Sequence, residues 1–233
     1  MVLHLWMVVS VVLTSQEPAF EPTSHYTLQA VQGWSVHVNN RLLSERTELA
    51  QQALKLLDVK LFDINRVVPE SALSRLHEVP IWLELDDDKR DPCACYHPSR
   101  DWRADNGVNP EKGLSVEITR ADIFLRWSLD QPWMILHELA HAYHHRVVGW
   151  DDARVMATLA KARENGNYES VLHTSGEMRK AYALGNPQEY FAELSEAYFG
   201  TNDFFPFVRA ELNHHDPEGA ALMRELWGLG GGD

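Results

Sequence analysis

His137-Glu138-Leu139-Ala140-His141 is the stretch on which the reading of this chain turns. Pro132 opens the helical segment that carries it and Gly149 ends it. Residues four apart on an α-helix share a face and differ by about 6 Å in rise, so both imidazoles can reach one ion at roughly 2 Å. Glu138 lies next to His137, where its carboxylate can contact a water on that ion without ligating it. Two nitrogen ligands, a base and an open position are what a zinc hydrolase needs. Trp133, Ile135, Leu136, Leu139, Ala140 and Ala142 surround the motif with apolar side chains, and a buried His-Glu-His set without a metal would be costly. The competing reading is a polar helix face with ordinary histidines.

His144 and His145 continue the helix. Positions 137 and 144 differ by roughly 10 Å in rise, too far for three ligands from one straight helix. A His141/His145 pair would put Ala142 where the base belongs. Both histidines are therefore expected to be hydrogen-bonded or solvated. The downstream glycine turn and third histidine of metzincins are missing. A third ligand must come from another segment, and the best candidate is Asn186-Pro187-Gln188-Glu189-Tyr190-Phe191-Ala192-Glu193-Leu194-Ser195-Glu196-Ala197-Tyr198-Phe199. Asn186 and Pro187 start a helix. Glu189 and Glu193 stand four apart on one face. One can ligate the ion while the other accepts the free ring N–H of a ligand histidine and fixes its tautomer. Glu196 is expected to be structural, with an extension of that network as the alternative. The competing reading of the whole segment is an amphipathic helix with exposed acids.

Together the two segments resemble the gluzincins, the zincin class with His-Glu-x-x-His and a glutamate ligand from a later helix. Within that class, Glu189-Tyr190-Phe191-Ala192-Glu193 closely resembles the second metal helix of the anthrax-lethal-factor-like metallopeptidases. That family also places a catalytic tyrosine seven residues before the ligand glutamate, and position 182 here is Tyr182. The resemblance implies Zn2+ held by His137, His141 and Glu189, with Glu138 as general base and Glu193 as outer partner. It implies Tyr182 as the group that polarises the carbonyl, with His173 as a competing electrophile. It implies a peptide or protein substrate, and the strand Ser115 to Ile118 is the candidate edge on which an extended peptide would pair. The similarity spans roughly residues 133 to 199, so the toxin's own substrate is not carried over. Two other readings stand beside it: a catalytically inactive zinc-binding recognition module, and a zinc hydrolase of non-peptide amide or ester bonds.

Outward from the motif, the chain of 233 residues fits one domain of two lobes. The fold class expected is α+β and zincin-like. A leader at 1–22 precedes an N-terminal mixed-sheet lobe with helix at 23–131 and a mainly helical zinc-binding lobe at 132–233, with the motif helix between the lobes. Tyr26 to Val31 and Trp34 to Asn39 read as a hairpin about Gln32-Gly33. Ser44 is placed to start a long helix through Leu61, and Val79 to Leu85 reads as a strand running into Asp86-Asp87-Asp88, a solvated turn. Residues 89 to 113 look like one ordered loop. Asp216 and Pro217 mark the start of the last helix.

A formal net charge of −13 argues against nucleic acid as a partner. The apolar run Met1 to Leu13 is too short to span a bilayer, which needs about 20 residues, and fits the core of an export signal, so a secreted or periplasmic protein is expected. No Lys or Arg precedes it, and a buried first strand is the alternative. The two cysteines, Cys93 and Cys95, are poorly separated for a disulfide. Buried structural cysteines are expected, with a strained local bridge or a regulatory thiolate as alternatives.

Overall fold

The computed structural model describes residues 20–86 and 92–229, the side chain of Trp102 excepted. Residues 1–19 of the expected leader lie outside the described residues, as do Asp87 and Asp88 and the tail from Gly230 to Asp233.

Strands β1 (Tyr26–Val31) and β2 (Trp34–Asn39) form the expected hairpin. Gln32 and Gly33 both take positive φ, 51° and 99°, the conformation a tight two-residue turn requires. Asn39 then caps a short helix α1 (Asn40–Glu45), and the long helix α2 (Thr47–Val67) follows. Ser44, expected to start the long helix, lies inside α1 because Asn39 has already supplied a cap. Next come α3 (Glu70–Leu76) and β3 (Ile81–Leu83), which runs parallel to β2.

The segment expected to be one loop contains a strand, β4 (Ala94–Tyr96), and a helix, α4 (Arg100–Asp105). Strand β5 (Val116–Ile118) and helix α5 (Ala121–Trp127) close this half of the chain. The sheet order is β1-β2-β3-β5-β4, with parallel pairs in the middle and antiparallel pairs at both ends. Strand β5 is therefore interior, not the expected edge, and the edge is β4. Three residues enclosed by Pro92 and Pro98 are too few to show a periodic pattern.

The disulfide Cys93–Cys95 is formed, with Cα atoms 5.6 Å apart. This corrects the expectation of unbridged cysteines. Alternate residues of a strand point to the same side, which brings this pair within the range of Cα separations that a bridge accepts.

The two faces of the sheet differ. Val36, Val38, Ile81, Leu83, Val116 and Ile118 lie on one face and join the apolar core with Ala53, Leu57 and Leu61 of α2. The other face carries Trp82 and Glu117, in register with His37. There Lys112 Nζ lies 2.7 Å from Glu84 and 2.6 Å from Glu117, while Arg103 donates to Glu117 at 3.0 Å. Tyr26 and Asn39 also donate to Glu84, and Asn39 reaches Glu21 at 2.9 Å. Asn109 donates to the Glu21 carbonyl at 3.2 Å. Buried carboxylates and cations in this layer offset each other's desolvation.

The second half is mainly helical, as expected. Helix α6 (Met134–Tyr143) carries the motif and continues as a π-helical turn at His144–Val148 to Gly149. Helix α7 (Ala153–Asn165), a small hairpin of β6 (Val171–Leu172) and β7 (Met178–Arg179), and a 3-10 turn at Tyr182–Leu184 lead to α8 (Pro187–Phe199). Helices α9 (Arg209–His215) and α10 (Pro217–Leu226) complete the described chain, with Asp216 capping α10 through the N–H of Gly219. Residues Tyr190 to Phe199 of α8 are all buried. That burial removes the reading of α8 as a surface helix with exposed acids. Gly200 ends it, and a Cβ there would fall 2.0 Å from the Trp133 ring. Only glycine lets this indole, which leads into α6, lie against the end of α8. Among the described residues no helix is long and apolar enough to cross a membrane.

Candidate metal centre

Helix α6 presents His137 and His141 one turn apart, their rings edge-to-face with centroids 4.7 Å apart. Helix α8 packs against α6 and supplies Glu189. Its first turn is built by Pro187 and by the Asn186 side chain, which accepts the Glu189 N–H at 2.8 Å. Glu189 Oε2 lies 3.1 Å from His137 Nε2 and 3.3 Å from His141 Nε2. Ligand atoms about 2.0 Å from a tetrahedral ion stand roughly 3.3 Å from one another. The two separations from Glu189 to the histidine nitrogens are of the size that donors sharing one such ion would have. Ligating atoms of His137, Glu138 and His141 also fall within 4.8 Å of one another.

Glu138 is half-buried beside this group, and its Oε2 accepts the backbone N–H of Tyr96 from the edge strand at 2.6 Å. Burial raises its pKa above the carboxylate norm, against the pull of His141 and His137. Burial works against protonation of His137, but hydrogen bonds to Glu189 and Glu196 outweigh it and lift its pKa well above the usual imidazole value. Burial likewise opposes the ionised form of Glu189, and the hydrogen bonds from His137 and His141 more than reverse this, holding it far below the ordinary range.

Glu193, the expected outer partner, and Glu196 both lie near His137 Nδ1, Glu196 the nearer. His137 Nδ1 lies 2.7 Å from Glu196 Oε1 and 3.8 Å from Glu193 Oε1. Glu193 instead accepts from Asn202 at 3.1 Å. Helical geometry accounts for this, since at about 100° per residue position 196 falls roughly 20° from the direction of 189 and position 193 falls roughly 40° away. Burial raises the pKa of both carboxyls, Glu193 well above normal with Glu196 and Asp203 adding to it. The seven-residue spacing was there to be read in the sequence. Asn202 and the backbone of Tyr96 left no signal, because each acts through one local contact in a loop or a short strand.

Tyr182 sits on the 3-10 turn, 54% exposed, with its ring centroid 6.5 Å from that of His137. Burial of part of the ring and the nearby Glu189 carboxylate both raise its pKa, so the phenol keeps its proton at neutral pH. His173 lines the same cleft; its Nδ1 accepts the Ser175 N–H at 3.0 Å and its Nε2 lies 3.7 Å from Asp203. His145 bonds Tyr96 Oη through Nδ1 at 2.9 Å. His144 departs from expectation. It is fully buried against Phe191, neither ring nitrogen has a hydrogen-bond partner among the described residues, and burial pushes its pKa down to about 4.

His137, Glu138, His141, His173, Tyr182 and Glu189 line a cleft of about 600 Å³. The edge strand β4 with Cys93 forms its roof, and Trp127, Gln131, Asp203 and Phe204 also line it. What the described residues form is a candidate metal site of the His-Glu-x-x-His type, set at the bottom of an open groove. No family model matches the chain, and no curated protein matches it. Among solved structures it is similar to the PRO-PRO endopeptidase PPEP-2 from Paenibacillus alvei, at 18% identity and a TM-score of 0.43, over 85% of this chain and 99% of that one. A likeness at that score carries no inference about this chain.

Proposed function

We propose that the protein is a zinc-dependent peptidase of the gluzincin kind, with a zincin-like fold. The observation that carries this reading is the convergence of His137 Nε2 and His141 Nε2 on one oxygen of Glu189, with Glu138 half-buried alongside in an open cleft. When bound, zinc supplies a Lewis acid that polarises a carbonyl and acidifies a water molecule. His137, His141 and Glu189 would hold it. Glu196 orients the His137 ring through Nδ1. Glu138 takes the proton of the attacking water and passes it to the leaving amine. The Tyr96 N–H keeps one carboxylate oxygen fixed and leaves the other for that exchange. Tyr182 donates its phenolic hydrogen to the oxyanion that develops on the scissile carbonyl.

A peptide substrate is supported by the roof of the cleft. Strand β4 is an open sheet edge, and an extended chain can pair with such an edge through backbone hydrogen bonds. Metal analysis of protein purified without chelator tests the reading, followed by cleavage of a peptide library. About one zinc per chain is expected, lost in Glu189→Ala and in His141→Ala. No zinc after reconstitution removes the proposal. Zinc without Glu138-dependent hydrolysis leaves a recognition module, and cleavage restricted to non-peptide amides or esters leaves another zinc hydrolase.

A further inference from the structure

The roof of the cleft carries a feature that the peptidase chemistry does not require. In the antiparallel pair of β4 with β5, alternate residues bond across the ladder and the others face away from it. Cys93 C=O accepts the N–H of Thr119 at 2.9 Å, and His97 exchanges bonds with Ser115 and Leu114. Cys93, Cys95 and His97 therefore face β5. Ala94 and Tyr96 turn their backbone groups to the open edge, and the Tyr96 N–H is already taken by Glu138. Among the described residues, Ala94 is left as the residue of β4 that offers both N–H and C=O to a chain lying in the cleft.

The side chains alternate as well. Ala94 and Tyr96 pair with Ile118 and Val116 on the apolar face, whereas Cys95 pairs with Glu117 on the opposite face. The disulfide thus spans Ala94 on the face opposite its side chain, and both cysteines line the cleft and are only partly buried. A second anchor sits at its start, where Thr119 Oγ1 accepts the Cys93 N–H at 2.8 Å.

We infer that the Cys93–Cys95 bridge is a reducible staple that holds Ala94 in place for substrate pairing, so that a dithiol reductant weakens peptide binding. This rests on the peptidase reading of the same cleft. In the reductive step a thiolate of the dithiol attacks one cysteine sulfur and the S–S bond breaks. The second thiol of the reductant then closes its own disulfide, and both cysteines leave as thiols. Freeing one residue's backbone sets the expected effect at about tenfold in KM.

The test uses the zinc-loaded protein in three forms: oxidised, reduced with a dithiol that is then removed under inert gas, and the Cys93→Ser/Cys95→Ser double variant. Zinc content is checked in each. The expected result is a KM raised about tenfold in the reduced form and in the double variant at unchanged zinc. Reoxidation should restore the wild type alone. Hydrogen exchange at residues 94–96 is followed in parallel and should accelerate when the bridge opens. Equal KM values across the three forms overturn the staple, and so does exchange that ignores the bridge. If no form cleaves any peptide, the peptidase reading fails, and the exchange measurement still decides whether the bridge fixes the edge.

Discussion

His137 is held from both sides by one helix: its Nε2 lies 3.1 Å from Glu189 and its Nδ1 2.7 Å from Glu196, two turns further along α8. The ring is thereby aimed before any ion arrives. Removing an outer partner of this kind costs about 10- to 100-fold in metal affinity. Glu196→Ala is expected to weaken zinc binding by that amount in a chelator competition, while Glu193→Gln, whose carboxyl is held by Asn202, stays near wild type. Equal losses in the two variants would return the outer role to Glu193.

Glu138→Gln keeps the size of the side chain and the contact with the Tyr96 N–H but cannot take a proton. Peptide cleavage should fall by about 10²- to 10⁴-fold, the usual worth of a positioned base. Zinc content should stay at the wild-type level. Retained turnover would move the base elsewhere.

Tyr182→Phe removes one hydroxyl at a partly exposed position and leaves the ring in place. Loss of a donor to a developing oxyanion lowers kcat by about 10²- to 10³-fold, with KM little changed. Steady-state kinetics on a single cleaved peptide separates the two constants. A rise in KM at constant kcat would make the tyrosine a binding wall only.

His144 gives a pH signature. Its folded-state pKa of about 4 lies below the ordinary histidine value of 6.5, so the unfolded chain binds its proton first. Stability is then lost as pH falls from about 6.5 towards 4, and the loss is complete below that. The full span is on the order of 3 kcal/mol. His144→Leu should flatten this part of the pH dependence in urea unfolding of metal-free protein. An identical slope in the variant would mean that His144 takes up its proton without cost.

Gly200→Ala sets a methyl group where the Trp133 ring lies. The indole must move, and the start of α6 with it. Destabilisation of about 1–3 kcal/mol is expected, as for other overpacked sites, read as a lowered thermal midpoint. An unchanged midpoint would mean the indole relocates freely.

The sequence was most informative where chemistry is repeated along a helix. His137, Glu138 and His141 are legible because one α-helical turn sets their spacing, and the start of α8 is legible from Asn186-Pro187. Glu196 was harder, since burial of α8 on all sides hides which carboxylate faces α6; only the angle between positions 189 and 196 tells. The roof of the cleft was not legible. Strand β4 exists because β5 offers it a partner, and three residues carry no period of their own. The same pairing brings Cys93 and Cys95 to one side of a strand, a geometry that reading them as loop residues could not supply. Tyr182 had no local signal beyond its offset from Glu189.

The polar layer behind the sheet also bears on how the chain can be shortened. Asn39 and Asn109, both buried, each spend a side-chain N–H on Glu21, one on its carboxylate and one on its carbonyl. A polypeptide that starts at residue 20 keeps both acceptors. One that starts at residue 23 strips them from two buried amides and leaves Asn39 with Glu84 and Asn109 with Thr23. Loss of Glu21 would thus disturb a layer of hydrogen bonds on the polar face of the sheet.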